Sequence, residues 1–351
     1  MRRFIKILLG RILIVLIVVA ACFAIKLNDG YYWYLPEGTA YNKIPWIYRT
    51  ASDGKLDERY EIFLGSSICK SAIDDRLMTE MDSTGKVYLN FGVNHSCNAL
   101  TEIVLERLIK TWKNKPGKIY LCLKTDARPV NIHQMYPIVA HADEILESAL
   151  EGNTQAAGSF FRHASWNIYA ATKTWKMDTF DDSLVQRSPW GLSTSHKIDT
   201  AYVLSLEKSG KQATQNLMEF VNTVNGAGSK ASMMRKLSQL KMRVWDNMDF
   251  QDISFLNTAQ KLDAAEIPYD VVLYPNFAVT RFNGQRSVES HYYTLYPEID
   301  WTQHKIIALQ SEDLKKPQYW EDLNHLNEEG ARIFSSALKR YLDRSSSQHS
   351  Q

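Results

Sequence analysis

At 351 residues, with 45% hydrophobic and 23% charged residues, the chain carries enough apolar side chain to bury a full α/β core, which excludes a disordered or fibrous protein. A formal net charge of +2 supplies no electrostatic footprint for nucleic acid, so polyanion binding is not expected. The four cysteines, Cys22, Cys69, Cys97 and Cys122, form no Cys-x-x-C and no Cys/His metal spacing, and neither metal nor cofactor is expected.

The chain begins with Arg2, Arg3, Lys6 and Arg11 ahead of an apolar run from Ile12 to Ile25, which Lys26 ends. Counted from Phe4, a helix rising about 1.5 Å per residue is long enough to cross a hydrocarbon core of about 30 Å, with Lys6 and Arg11 snorkelling to the headgroups. The basic residues hold the N-terminus in the cytoplasm. Residues 1–26 are therefore expected to be a single-pass signal-anchor in a bacterial cytoplasmic (inner) membrane, with the main domain periplasmic or extracellular. Two other readings of the same residues stand beside it. Ala20-Ala21 can end a cleavable signal peptide, and Val19-Ala20-Ala21-Cys22 resembles a lipobox that would place a lipid on Cys22.

Residues 27–57 hold Tyr31, Tyr32, Trp33, Tyr34, Tyr41, Trp46 and Tyr48, with Pro36 and Pro45 as breakers. Such an aromatic cluster suits the headgroup region, and packing on the domain core is the equal alternative. Carbohydrate stacking is a third.

A doubly wound pattern follows over 58–130. Ile62 to Gly65 reads as a strand, Ala72 to Met81 as a helix, Val87 to Phe91 as a strand, Ala99 to Trp112 as an amphipathic helix, and Lys118 to Leu123 as a third strand after Pro116-Gly117. Strands alternating with helices of this length predict a parallel sheet. Cys69 and Cys97 both follow strands that should be neighbours, which leaves a disulfide open between them, while Cys22 and Cys122 read as small hydrophobes.

Residues 131–250 change character, with helices expected over Ile138 to Leu150, Ala213 to Val224 and Ser232 to Trp245 and a polar stretch around Ser188 to Ser195. They are expected to form a helical insertion or cap over the sheet edge. The wound pattern resumes over 251–344: a helix from Ile253 to Ala265, strands Tyr269 to Tyr274 and Lys305 to Leu309, and a helix capped by Asn327 that buries Ala331, Phe334, Leu338 and Leu342. Residues 345–351 are polar and expected to be disordered. The fold class is thus α/β, a three-layer doubly wound parallel sheet with a helical insertion and an N-terminal transmembrane helix.

Two separated stretches carry chemistry. The strand Ile62-Phe63-Leu64 ends in Gly65-Ser66-Ser67, and Asp322 stands three residues ahead of His325 near the C-terminus. Asp322 can orient and charge-stabilise His325, His325 can take a proton from a serine, and the serine can then carry an acyl group. An α/β-hydrolase elbow would need Gly two residues on either side of its serine, but Cys69 occupies the later position.

Gly65-Ser66-Ser67 and Asp322-x-x-His325-Leu326-Asn327-x-x-Gly330 resemble the first and last blocks of the SGNH (GDSL-like) hydrolase superfamily. The resemblance implies a flavodoxin-like fold, Ser67 as nucleophile, His325 as base and then acid, and Asp322 as its partner. Ser66 reads as a turn hydroxyl. The oxyanion donors of that family depart from pattern here. The Ser67 N–H can supply one. Asn90-Phe91-Gly92-Val93-Asn94-His95-Ser96 resembles the second block with His95 where Gly is usual, and Gly92 and Asn94 are fallback candidates. Lys124-Thr125-Asp126-Ala127-Arg128 replaces the third block, with Thr125 or Arg128 in place of its Asn.

Among SGNH proteins the chain most resembles the membrane-anchored D-alanine transfer proteins of teichoic acid systems. This implies a serine acyltransferase or esterase acting outside the cytoplasmic membrane on an envelope glycan or polymer, with a membrane-bound acyltransferase as the implied partner. The altered second and third blocks motivate the alternative, a non-catalytic SGNH-fold partner in an envelope polysaccharide pathway.

Overall fold

Five short apolar runs pair in parallel to build the sheet. In the computed structural model they are β1 (Tyr60–Gly65), β2 (Val87–Gly92), β3 (Lys118–Leu123), β4 (Tyr269–Leu273) and β5 (Ile306–Ala308), in the order β2-β1-β3-β4-β5. This is the 2-1-3-4-5 order of doubly wound sheets and is compatible with SGNH and flavodoxin-like folds. The structure describes residues 10–17, 40–93, 98–123, 248–277 and 296–348, with isolated positions between 205 and 293. The chain divides into two units, Met1–Arg49 with Asn131–Pro189, and Thr50–Val130 with Trp190–Gln351. The sheet belongs wholly to the second.

Strands buried on both faces read as continuous apolar runs, and these do. Alternation sends Phe63, Tyr88, Tyr120, Cys122, Val272 and Ile307 to one core. There they meet Ile68, Met78, Phe334 and Leu338 from three helices, α2 (Ser67–Ala72), α3 (Asp75–Glu80) and α6 (Glu328–Gln348). Two further helices, α4 (Asn98–Thr111) and α5 (Met248–Ala264), pack on each other and bury Leu100, Leu105, Leu108, Ala259 and Leu262. A further helix, α1 (Ala40–Ser52), precedes the sheet in the chain.

Three sequence expectations are corrected. The helix expected over Ala72 to Met81 is two helices, because Ile73 is extended and Asp74 starts α3 by accepting the Leu77 N–H at 3.0 Å. Pro45, read as a breaker, lies within α1; a proline removes one intrahelical bond, and the burial of Ile44, Trp46, Ile47 and Ala51 outweighs that loss. The tail expected to be disordered from Ser345 is helical to Gln348. Among the described residues no helix is long and apolar enough to cross a membrane. The span expected over 1–26 lies outside them except for residues 10–17, which are helical, and most of the 131–250 insertion lies outside them as well.

Candidate active site

The C-terminal ends of the parallel strands deliver the site, as is usual for open α/β sheets. After β1, Ser66 is extended (φ −92°, ψ −166°) and Ser67 begins α2. The first intrahelical bond runs from the Lys70 N–H to the Ser66 carbonyl at 3.0 Å. The N–H groups of Ser67, Ile68 and Cys69 therefore precede the helix's own hydrogen-bond ladder.

The end of β2 holds α2 in place. A Cβ at Gly92 would stand 2.4 Å from the Lys70 backbone nitrogen and 2.9 Å from the Cys69 Sγ, so only glycine permits this approach. Asn90, almost fully buried, donates from Nδ2 to the carbonyls of Cys69, Lys70 and Ile73 at 3.3, 3.1 and 2.8 Å. The Cys69 carbonyl also accepts the Ile73 N–H at 3.2 Å, so Asn90 reinforces the bond that closes this short helix at its C-terminal end. The Asn90 Oδ1 accepts the Gly92 N–H at 2.9 Å, so that donor is already committed. Gly92, a fallback oxyanion candidate, instead serves close packing.

The last block forms a tight loop. Its base is an isolated antiparallel bridge between Trp320 and Leu326, and the Glu321 N–H donates to the His325 carbonyl at 2.8 Å. Asp322 Oδ1 accepts the N–H groups of Asn324 (2.7 Å) and His325 (2.9 Å), the side-chain turn that makes Asp effective in such loops. Asn327 caps α6 by accepting the Gly330 N–H at 3.0 Å and donates to the Gln318 carbonyl at 2.7 Å. A Cβ at Gly330 would meet the Tyr319 carbonyl oxygen at 2.2 Å, which explains the glycine three residues after Asn327.

These elements bring Ser67, His325 and Asp322 together. His325 Nε2 lies 2.9 Å from Ser67 Oγ, and its Nδ1 lies 3.0 and 2.9 Å from Asp322 Oδ1 and Oδ2. Burial pushes the Asp322 carboxyl up, but the His325 ring and the Asn324 and His325 N–H donors outweigh it and hold the group at about 2. An ionised carboxylate only accepts, so Nδ1 carries the ring proton and Nε2 is left to accept the Ser67 hydroxyl proton. That is the polarity a base needs toward its nucleophile.

Beside the triad, burial pushes Lys70 down to about 8, partly offset by the Glu321 carboxylate. Below the triad, the Cys122 Sγ and Tyr274 Oη lie 3.0 Å apart. Cys69 is a buried free thiol with its Sγ 3.6 Å from Asn90 Oδ1, so the disulfide left open between it and Cys97 is not formed. Cys97, Asn94, His95, Thr125 and Arg128 lie outside the described residues. Sequence reasoning missed the structural part of Asn90 and the pair formed by Asn276 and Asn324, whose side chains meet at 2.5 Å beside the His325 loop. The signal for Asn90 is a polar residue inside an otherwise apolar strand. No protein-family model and no curated protein matches the chain.

Proposed function

We propose that the protein is an SGNH-type serine acyltransferase or esterase, anchored at the outer face of a bacterial cytoplasmic membrane and acting on acyl groups of an envelope glycan or related polymer. The observation that carries this reading is the continuous hydrogen-bonded chain from Asp322 through His325 to Ser67 at the C-terminal edge of the sheet.

In the first half-reaction His325 Nε2 takes the Ser67 proton while Oγ attacks the acyl carbonyl carbon. Asp322 stabilises the imidazolium without taking its proton. The Ser67 N–H, ahead of the helix ladder, is the first donor for the developing oxyanion, and one such donor is worth about 3 kcal/mol of barrier. His325 then returns the proton to the departing oxygen or sulfur, leaving an ester on Ser67. In the second half-reaction a glycan hydroxyl gives transfer and water gives hydrolysis, with His325 again as base.

The family resemblance supports transfer, with a membrane-bound acyltransferase as partner. Residues 10–17 support the anchor: they are helical, and Ile12 and Ile14 leave 48% and 62% of their surface uncovered. A serine-directed fluorophosphonate tests the chemistry. Labelling of the wild type, lost in Ser67→Ala and in His325→Ala, is the expected result. A folded wild type that takes no label would favour the non-catalytic partner.

A further inference from the structure

We propose that Asn276 is a positioning residue for this reaction, holding the Asp322–His325 turn at the height where the imidazole meets Ser67. The inference rests on the acyl-serine reading above.

The bonds inside the loop set its shape. Asp322 Oδ1 binds the Asn324 and His325 N–H groups, the Glu321 N–H binds the His325 carbonyl, and the Trp320–Leu326 bridge closes the base. Together they fix the ring against its carboxylate. They do not fix its distance from Ser67, which belongs to a different element and lies 258 positions away. That distance needs a tie between the loop and the sheet.

The segment after β4 provides one. Asn276 Nδ2 donates to Asn324 Oδ1 at 2.5 Å, and the next residue, Phe277, donates its N–H to the Leu323 carbonyl at 2.8 Å. Phe277 is fully buried and sets its ring edge-on to the Trp320 indole, centroids 5.6 Å apart, so its end of the tie is immobile. Asn324 is 5% exposed, and its own N–H is held by Asp322, so it links the acid of the triad to the strand end. Asn276 is half-buried, so the bond is partly shielded from water, which strengthens it relative to an exposed one. Displacing a reacting group by about 1 Å costs on the order of a hundredfold in rate.

The test uses the full-length protein and a fluorophosphonate probe, with the maximal inactivation rate and the probe's half-saturating concentration measured separately. Rates are read at a temperature where circular dichroism shows each variant folded. Asn276→Ala and the near-isosteric Asn276→Leu should both lower the maximal rate by about ten- to a hundredfold and change half-saturation less than twofold. Asn276→Ala/Asn324→Ala should be no slower than the slower single variant, as coupled residues require. A maximal rate at the wild-type value in both Asn276 variants, or additive losses in the double variant, overturns the positioning role and leaves the acyl-serine reading intact. A folded wild type without label overturns both.

Discussion

His325 Nε2 and Ser67 Oγ meet at 2.9 Å although 258 positions separate them, because the N-terminal end of a helix after β1 and a loop capped onto the last helix converge on one sheet edge. The value of that contact depends on the proton at the other ring nitrogen. Both Asp322 oxygens lie within 3.0 Å of Nδ1, so the carboxylate selects the tautomer whose Nε2 faces the serine.

Asp322→Asn therefore tests the tautomer and not only the shape. The amide keeps the volume and can keep the turn, but it can offer an N–H to Nδ1 and so place the ring proton on Nε2, facing Ser67. Fluorophosphonate labelling should fall by about 10³- to 10⁴-fold, while unfolding in urea shifts little. A fall below tenfold would mean that Asp322 does not control the tautomer.

Lys70 makes a prediction about pH. Its folded value, about 8, lies below its ordinary 10.5, so the folded protein binds fewer protons than the unfolded one between those limits. Stability rises with pH where the unfolded state holds more protons. Burial of the charged Lys70 thus weighs fully on the fold below pH 8 and is relieved as pH climbs toward 10.5. Against Lys70→Met as reference, which cancels the other titrating groups, the wild type should gain as much as about 3 kcal/mol between pH 7 and pH 10.5. Urea unfolding at the two pH values measures it, and a pH-independent difference would refute it.

Asn90 is the buried bracket between β2 and the helix that carries Ser67. Asn90→Leu keeps the size but leaves the carbonyls of Cys69, Lys70 and Ile73 and the Gly92 N–H without that side-chain partner. A loss of about 1–3 kcal/mol in urea unfolding is expected, together with slower Ser67 labelling, since the helix end is freed to shift. Labelling at the wild-type rate would show that α2 holds its place without the bracket.

What was legible in the sequence was whatever local pattern decides. Apolar runs marked all five strands, and paired blocks marked Ser67, Asp322 and His325. What was hidden depends on distant partners. The break between α2 and α3 is held by the Asp74 N–H donating to Ser335 Oγ at 2.8 Å, across 261 positions, and no window of sequence contains both. Asn276 and Asn324 look like ordinary loop residues until the fold sets them side by side. The tail is helical although Ser345 to Ser347 favour helix weakly, because the preceding turns of α6 are anchored by Phe334, Leu338 and Leu342.

The same α6 carries a buried cation that locks it to the segment after α3. Lys339 Nζ lies 2.8 Å from Asp82 Oδ2, and both side chains are 1% exposed; Asp343 is a second partner of the lysine. A pair this enclosed gives little net stability over an apolar substitute, but removing one member strands the other. Lys339→Met should cost about 3 kcal/mol, because the Asp82 carboxylate keeps its Thr84 and Lys86 N–H donors yet loses its counter-charge. Burial pushes Asp82 up, and Lys339 with the Thr84 and Lys86 donors outweighs it and holds the group below the ordinary carboxylate range. The stability this provides is present above the unfolded value, about 3.9, and is lost as pH falls through the lower folded one. The gap between wild type and Lys339→Met should thus be widest near neutral pH and narrow in acid, as the stranded Asp82 of the variant takes up a proton while the paired Asp82 of the wild type stays ionised. A gap that stays constant from pH 7 to pH 3 in urea unfolding would show that Lys339 acts through packing of its aliphatic stem and not through its charge.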